Sequence, residues 1–295
     1  LLTFYKYQIW VFRVFALWKL PENSTKRRIL LNKIHFWHIT LFWVLLFDLT
    51  LMIQFISNIN DLNEIIKVFF IFATALAVLA KFSTIKSKNG TYYRLVEKMA
   101  SPVFQPANPR EDLLFIKAEN LARSVRNSYL AVSLCALNVV LLTQYIVDNT
   151  ELPLSVYVPF HLDSHWRYCL MYLYQYFSVS LCCYMNICFE SISAGFCIYI
   201  KGQLDILSDR LEHLGKDYET DDDMITFQIK DCLAYYEEIL SLSKMVEDLV
   251  SFPISMQIFC SVLVLVANFY AMSFVGSTKY YKYIFYFIYI SAFST

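Results

Sequence analysis

The sequence predicts an all-α membrane protein: a polytopic helical bundle with five full spans, a truncated sixth, and long helices that run on into the cytosol. Three observations carry that prediction. Between Arg167 and Lys201 the sole charged side chain is Glu190, so residues 168–200 form an apolar stretch longer than the ~20 residues that cross a bilayer. Five further blocks, 36–59, 65–80, 128–147, 251–275 and 283–295, also lack long charged interruptions. The cations, finally, are segregated. With 1–35, 81–127 and 201–250 placed on one side, only Lys67, Arg167, Lys279 and Lys282 remain on the other. The rich side is cytoplasmic by the positive-inside rule, which puts the N-terminus inside.

Four regions follow. Residues 1–35 are an N-terminal interfacial segment, 36–200 hold spans one to four, 201–250 form an intracellular helical stalk, and 251–295 hold span five with the partial sixth, which stops at Thr295. Six of the seven prolines fall between blocks, and Pro253 opens one. Helices are the spanning structure this pattern allows, because every backbone polar group must be satisfied within the hydrocarbon.

Residues 1–20 are aromatic, with Lys6, Arg13 and Lys19 spaced along them, unlike a signal peptide with one charged end. They read as a helix in the inner interface, ended by Pro21 and followed by the basic run Lys26, Arg27, Arg28 facing anionic lipid. Span one carries Asp48, either a functional acid or an aspartate bonded to a neighbouring helix. A short loop, 60–64, makes spans one and two antiparallel neighbours. Span two places Phe69, Phe70 and Phe72 in its outer half, with Lys81 snorkelling at its inner end.

The inner segment 82–127 is broken at 102–109 by prolines, and Glu111 to Arg126 reads as a helix leading into span three. The sequons at Asn23 and Asn89 fall on the cytoplasmic side and are expected bare. Span three, 128–147, ends outside with Asn138, Thr143, Gln144 and Tyr145 as polar punctuation. The outer loop 148–167 contains His161 and His165, a spacing compatible with one helix face, but no further ligand completes a metal site. A loop packed over the outer mouth is the better reading.

Span four opens with Tyr168, Tyr172, Tyr174, Gln175, Tyr176 and Phe177. Tyr172 and Tyr176 share a face and serve either core packing or a pocket wall with a hydroxyl handle. Below the membrane, Leu204, Leu207, Leu211 and Leu214 repeat at helical spacing, as do Ile229, Leu233, Tyr236 and Leu240. The two stripes are expected to pair as an antiparallel stalk. Span six begins with another aromatic run that includes Tyr286. The eight cysteines make no CxxC pair and read as reduced thiols, with Cys169 the one placed for a disulfide.

Three stretches resemble the insect odorant receptors. They are Tyr157-Val-Pro-Phe-His-Leu-Asp163 with Arg167-Tyr168 and Tyr172-Leu-Tyr-Gln175; Phe189-Glu-Ser191 with Gln203-Leu-Asp-Ile-Leu207 and Arg210-Leu211; and Leu240 to Leu249 with Ser251-Phe252, Gln257-Ile-Phe259 and Ser261. Tyr235-Tyr236 stands where the family often has a histidine, and Glu190 where aspartate is commoner. The resemblance implies a seven-helix, N-inside subunit of an odorant-gated, non-selective cation channel. It implies a hetero-oligomer, a tetramer, with a shared co-receptor in the plasma membrane of sensory neurons, an intracellular anchor region where subunits meet, and a seventh helix lining the pore. A small volatile hydrophobic ligand would bind in the outer half, at Phe69, Phe70, Phe72, Leu142, Tyr145, Tyr172, Tyr176 and Tyr286.

Other classes fit less well. A gustatory-type chemoreceptor channel is the near alternative. A G-protein-coupled receptor would need the N-terminus outside and a third span ending inside. No phosphate loop, nucleophile elbow or zinc pair suggests an enzyme, and no cofactor, metal or nucleic acid is expected. Membrane lipid is the one partner the composition itself demands.

Overall fold

The structure, a computed structural model, describes residues 2–18, 20, 24–60, 62–147, 152–215 and 222–274. Among them there is no strand. Helix α1 spans Leu2–Val14, and α2 (Lys26–His38) passes through a π-helical stretch at Ile39–Leu45 into α3 (Leu46–Ser57). Then come α4 (Leu62–Ser87), the short α5 (Asn89–Met99), a 3₁₀ turn at Pro102–Phe104, α6 (Pro109–Val147), α7 (His165–Glu212) and α8 (Asp222–Phe274).

The apolar blocks and their flanking amphipathic segments are therefore single helices. At ~1.5 Å per residue, α7 is about 70 Å long, more than twice the ~30 Å hydrocarbon thickness. Helix α8 fuses the second inner helix to the fifth span and carries Pro253 inside it. Three described segments are long and apolar enough to cross a membrane: Lys26–Ser57, His165–Glu212 and Asp223–Ala267. The second and third expected spans lie within α4 and α6, and the sixth lies outside the described residues.

Two hydrophobic cores stack along α7. The inner one gathers Phe12, Phe36, Phe82, Leu95, Phe189, Phe196, Ile239 and Leu249. The outer one gathers Phe47, Leu51, Val68, Leu137, Met171, Val179 and Ile187. Helix α1 and the turn after it bury Phe4, Tyr5, Phe12 and Phe15 in the inner core, so most of this aromatic face meets protein. Close approach fixes its seat. A Cβ on Gly195 would run into the Phe4 ring; α6 and α7 are as close at Gly202, where a Cβ would lie 2.8 Å from Ala118.

Two expectations are corrected. Lys81 does not snorkel. Its side chain is 1% exposed, and its Nζ is ion-paired to Glu190 and bonded to Asn186, whose amide donates to the Tyr129 hydroxyl at 3.2 Å. This polar seam ties α4, α6 and α7 together where the two cores meet. The stalk stripes are turned mostly outward, although Leu207 is buried in the inner core as expected. Leu204, Leu211, Ile229, Leu233, Tyr236 and Leu240 are exposed. The inward face of α8 is Cys232, Tyr235, Ile239, Leu242, Val246 and Leu249, at spacings as helical as those of the expected stripe. Helix α8 is apolar on two adjacent faces, and periodicity alone cannot choose between them.

Candidate ligand site

The outer core supplies the candidate site. Helix α4 brings Phe69 and Phe72 against Phe55 of α3, with ring centroids 6.2 and 6.1 Å apart. Helix α7 brings Tyr174 and Tyr176 to the same core. The Tyr176 hydroxyl donates to Asn138 Oδ1 of α6 at 3.4 Å, so the tyrosine bridges two walls. Tyr172 sits one turn further out, half-buried, its ring 6.2 Å from that of Tyr168. The structure thus unites Phe72 and Tyr176 in one cluster, with Phe69 at its α3 edge and Tyr172 towards the outer end of α7. The side chains of Phe70, Leu142 and Tyr145 lie outside the described residues, although their backbones are in α4 and α6, and Tyr286 lies wholly outside them.

The π-helical stretch aims a third wall. Wider turns of this kind recur at functional sites. Here it turns Phe42 and Trp43 onto α7, where Trp43 stacks on Tyr174 at 5.6 Å and Phe42 meets it edge-on at 5.5 Å. The Tyr174 hydroxyl donates to the Phe42 carbonyl at 2.9 Å. Below it, both Asp48 carboxylate oxygens are buried with no hydrogen-bond partner among the described residues. The interhelical bond expected of this aspartate is not formed there.

Sequence reasoning missed the lock on this site. Gln175 is fully buried on α7 and reads the backbone of the outer loop in both directions. It accepts from the Leu154 N–H at 3.2 Å and donates to the Leu154 carbonyl at 3.1 Å. The Tyr157 N–H donates to the Thr50 carbonyl at 3.2 Å. With Leu154 and Val156 buried, the loop roofs the aromatic core, as expected of a segment over the outer mouth. The one available signal was a glutamine among the tyrosines of an otherwise apolar segment. His161 precedes α7 and does not share a helix face with His165. All eight cysteines are free, and no cluster of three metal-ligating side chains occurs among the described residues.

At the opposite end, polar bonds are dense. Glu111, in the first turn of α6, receives Arg210 Nε and Nη2 of α7, both at 2.9 Å, the Ala107 N–H at 2.9 Å and the Asn108 amide at 3.1 Å. Burial alone would raise its carboxyl pKa. The Arg210 hydrogen bond, the Ala107 N–H and the Arg210 charge together outweigh burial and hold it below its ordinary value. Arg210 lies 4.4 Å above the Tyr235 ring of α8, and the Tyr235 hydroxyl donates to Gln203. Burial pushes the Tyr235 phenol up to about 12. Asn89 donates its amide to the Leu17 carbonyl, so this sequon asparagine is engaged within the protein.

An all-helical membrane bundle with a roofed aromatic site at one end and a bonded helical stalk at the other has the form of a membrane receptor. Its family is shown directly. The family model described as 7tm Odorant receptor matches residues 61–295, and the chain belongs to that family. It is 37% identical over 271 residues to odorant receptor 46a, isoform A, of Drosophila melanogaster, covering 92% of this chain and 70% of that one. Isoform B of the same receptor is 33% identical over 273 residues, with the same coverage. The insect olfactory receptor OR5 of Machilis hrabei has the same fold, with a TM-score of 0.76 at 11% identity over 98% of this chain and 78% of that one. Its complex with eugenol matches at 0.77, with 13% identity over 99% and 78%.

Proposed function

We propose that this chain is the odorant-tuning subunit of a ligand-gated, non-selective cation channel, assembled as a hetero-tetramer with a shared co-receptor. It sits in the plasma membrane of sensory neurons with its N-terminus in the cytosol. A small volatile hydrophobic ligand enters the outer core, where Phe69, Phe72, Tyr172 and Tyr176, together with Phe70, Leu142, Tyr145 and Tyr286, select it by shape. The observation that carries the reading is the aromatic cluster between α3, α4, α6 and α7 under a roof clamped by Gln175. Apolar walls with a few hydroxyls suit such ligands, and a Machilis hrabei relative of the same fold is described in complex with eugenol. Gating follows only from a difference in affinity between closed and open arrangements.

The exposed stripe Leu204, Leu211, Ile229, Leu233, Tyr236 and Leu240 supports an anchor region at 201–250. Two parallel rows of apolar side chains left outward on cytosolic helices need a partner surface. The test is co-expression of the full-length receptor with the co-receptor, recording current across a panel of volatiles. Tyr172→Ala and Tyr176→Ala each reorder the ligand ranking while surface assembly is retained. An unchanged ranking in both removes them from the site, and absence of current across a broad panel from surface-delivered receptor defeats the channel reading.

A further inference from the structure

A second site lies at the cytosolic end, away from the odorant core. Helices α1 and α2 enclose an open-sided notch of about 400 Å³, lined by Arg13, Trp18, Arg28, Leu31, Asn32 and His35. None of the described side chains lining it is acidic, and neither arginine makes an ion pair among the described residues, whereas Lys88, Lys98, Arg123 and Arg210 do. Two arginines lining one cavity with no ion-pair partner among the described residues attract an anion.

The walls are built rather than incidental. After α1 the chain reverses through Ala16, a non-glycine residue at φ 54°. The reversal lets the Leu17 and Trp18 N–H groups donate to the Phe12 carbonyl at 2.8 and 3.2 Å. Trp18 is thereby stacked on Phe12, 6.3 Å away, and 7% exposed, making a fixed floor. His35 Nε2 bonds the Val14 carbonyl at 2.8 Å and ties α2 to the end of α1. One flank is Leu31, 55% exposed, and it continues along α2 into Leu30, Ile34 and Trp37, all more than half exposed. A cationic pocket thus opens onto an apolar strip that leads into the first span.

We propose that this notch holds the phosphorylated headgroup of an anionic phospholipid, with Arg13 and Arg28 as its phosphate ligands and the α2 strip against its acyl chain. A lone phosphate would leave most of the volume empty and would not use the strip. Guanidinium groups pair with phosphate oxygens in a fixed fork, and juxtamembrane basic clusters meet the anionic leaflet. Lys26 and Arg27, exposed on the same first turn of α2, add field outside the notch. The assignment to the cytosolic leaflet rests on the N-inside orientation proposed above, whereas the site itself does not.

The test uses the intact receptor in neutral detergent, with dioctanoyl phosphatidylinositol 4-phosphate, dioctanoyl phosphatidylcholine and inorganic phosphate as probes, and native mass spectrometry as the readout. Saturable binding of the phosphoinositide is expected, with phosphatidylcholine and inorganic phosphate each at least about tenfold weaker (about 1.4 kcal/mol). Arg13→Gln/Arg28→Gln weakens phosphoinositide binding by about tenfold or more, whereas Lys26→Gln/Arg27→Gln, which removes the same charge outside the notch, weakens it by less than about threefold. Equal loss in both pairs reduces the effect to surface charge and overturns the site. Inorganic phosphate binding as tightly as the lipid overturns the lipid assignment. Cross-linking of wild-type receptor by a phosphoinositide with a photoreactive headgroup needs no variant: adducts within 13–35 support the notch, and adducts confined elsewhere sink it. Binding in micelles is blind to orientation. Antibody staining of an N-terminal epitope on unpermeabilised cells would therefore refute the proposed topology and leaflet without touching the Arg-dependent binding.

Discussion

Replacing Glu111 by glutamine tests whether the stalk is held by its ion pair. The carboxylate is 2% exposed and takes both bonds of the Arg210 fork. Glu111→Gln keeps the shape and one oxygen acceptor but removes the charge. Arg210 then sits over Tyr235 with no anion beside it. Removing one partner of a buried pair costs about 3–5 kcal/mol, and Arg210, at 21% exposure, recovers part of its hydration. The expected loss is therefore about 3 kcal/mol, the lower end of that range. At ~2–4 °C per kcal/mol for a chain somewhat smaller than this one, the unfolding midpoint falls by roughly 6–12 °C. Thermal unfolding of purified receptor in detergent reads this directly. Glu111→Gln/Arg210→Met, with no orphaned charge, regains at least half of the loss. A single variant within about 1 °C of wild type, where ~6 °C is expected, would show the pair to be solvated and the reasoning wrong. So would a double variant weaker than the single.

The same pair fixes a pH dependence. Because the folded Glu111 pKa lies below its ordinary value, its stabilisation is complete above the unfolded value of ~4.3 and is lost as pH falls through the lower folded value. The gap between wild type and Glu111→Gln should therefore close in acid, and a gap independent of pH would contradict the linkage. Gln175→Leu unclamps Leu154, so the odorant leaves faster while the ranking of odorants holds, as deactivation of the current after washout would show. Lys81→Met strands the Glu190 carboxylate in the seam and lowers the folded, surface-delivered fraction, and Lys81→Met/Glu190→Gln restores it, as surface biotinylation can measure. Gly202→Leu forces α6 from α7 and lowers the unfolding midpoint, with Ala118→Gly giving partial rescue; no shift would mean that the close approach is not required.

Much of the fold was legible because apolar blocks and charge segregation are one-dimensional signals. The α7 helix was visible from Glu190 being the one charge across 168–200, and α6 from the helix start at Glu111 running into an apolar block. What was not legible depends on pairing across the chain. Lys81 reads as a snorkelling end residue until α7 is folded against α4, when Asn186 and Glu190 arrive beside it. The inward face of α8 was hidden because a second stripe, one residue round, satisfies the same spacing. Gln203 rather than Leu204 points inward on α7 because it has partners there, the Tyr235 hydroxyl and the Phe104 carbonyl, that a leucine could not use. At the candidate site the aromatic walls were visible as composition, but the Gln175 lock was not. A glutamine reading a loop backbone leaves no periodic trace.

The two ends of the molecule are held by different forces, and that difference bears on how odorant receptors diversify. Between helices in lipid, apolar contact alone gives little association, because the acyl chains are as apolar as the side chains they replace. Cohesion must come from close backbone approach and from directional polar bonds. Here those sit at Gly195 and Gly202, in the Lys81–Glu190 seam, in the Gln175 clamp and in the Glu111–Arg210 fork. Of these, only the clamp belongs to the outer core, where the bonds from the Tyr174 hydroxyl to the Phe42 carbonyl and from the Tyr157 N–H to the Thr50 carbonyl join it. Phe69 and Phe72 carry no hydrogen-bonding group, and the 3.4 Å bond from Tyr176 is at its weak limit. Their exchange for other apolar side chains alters volume and shape without leaving a buried charge unpaired. With the ligand site proposed above, a bundle built in this way can change what it recognises at the outer end while its fold, held by the seam and the stalk, stays as it was.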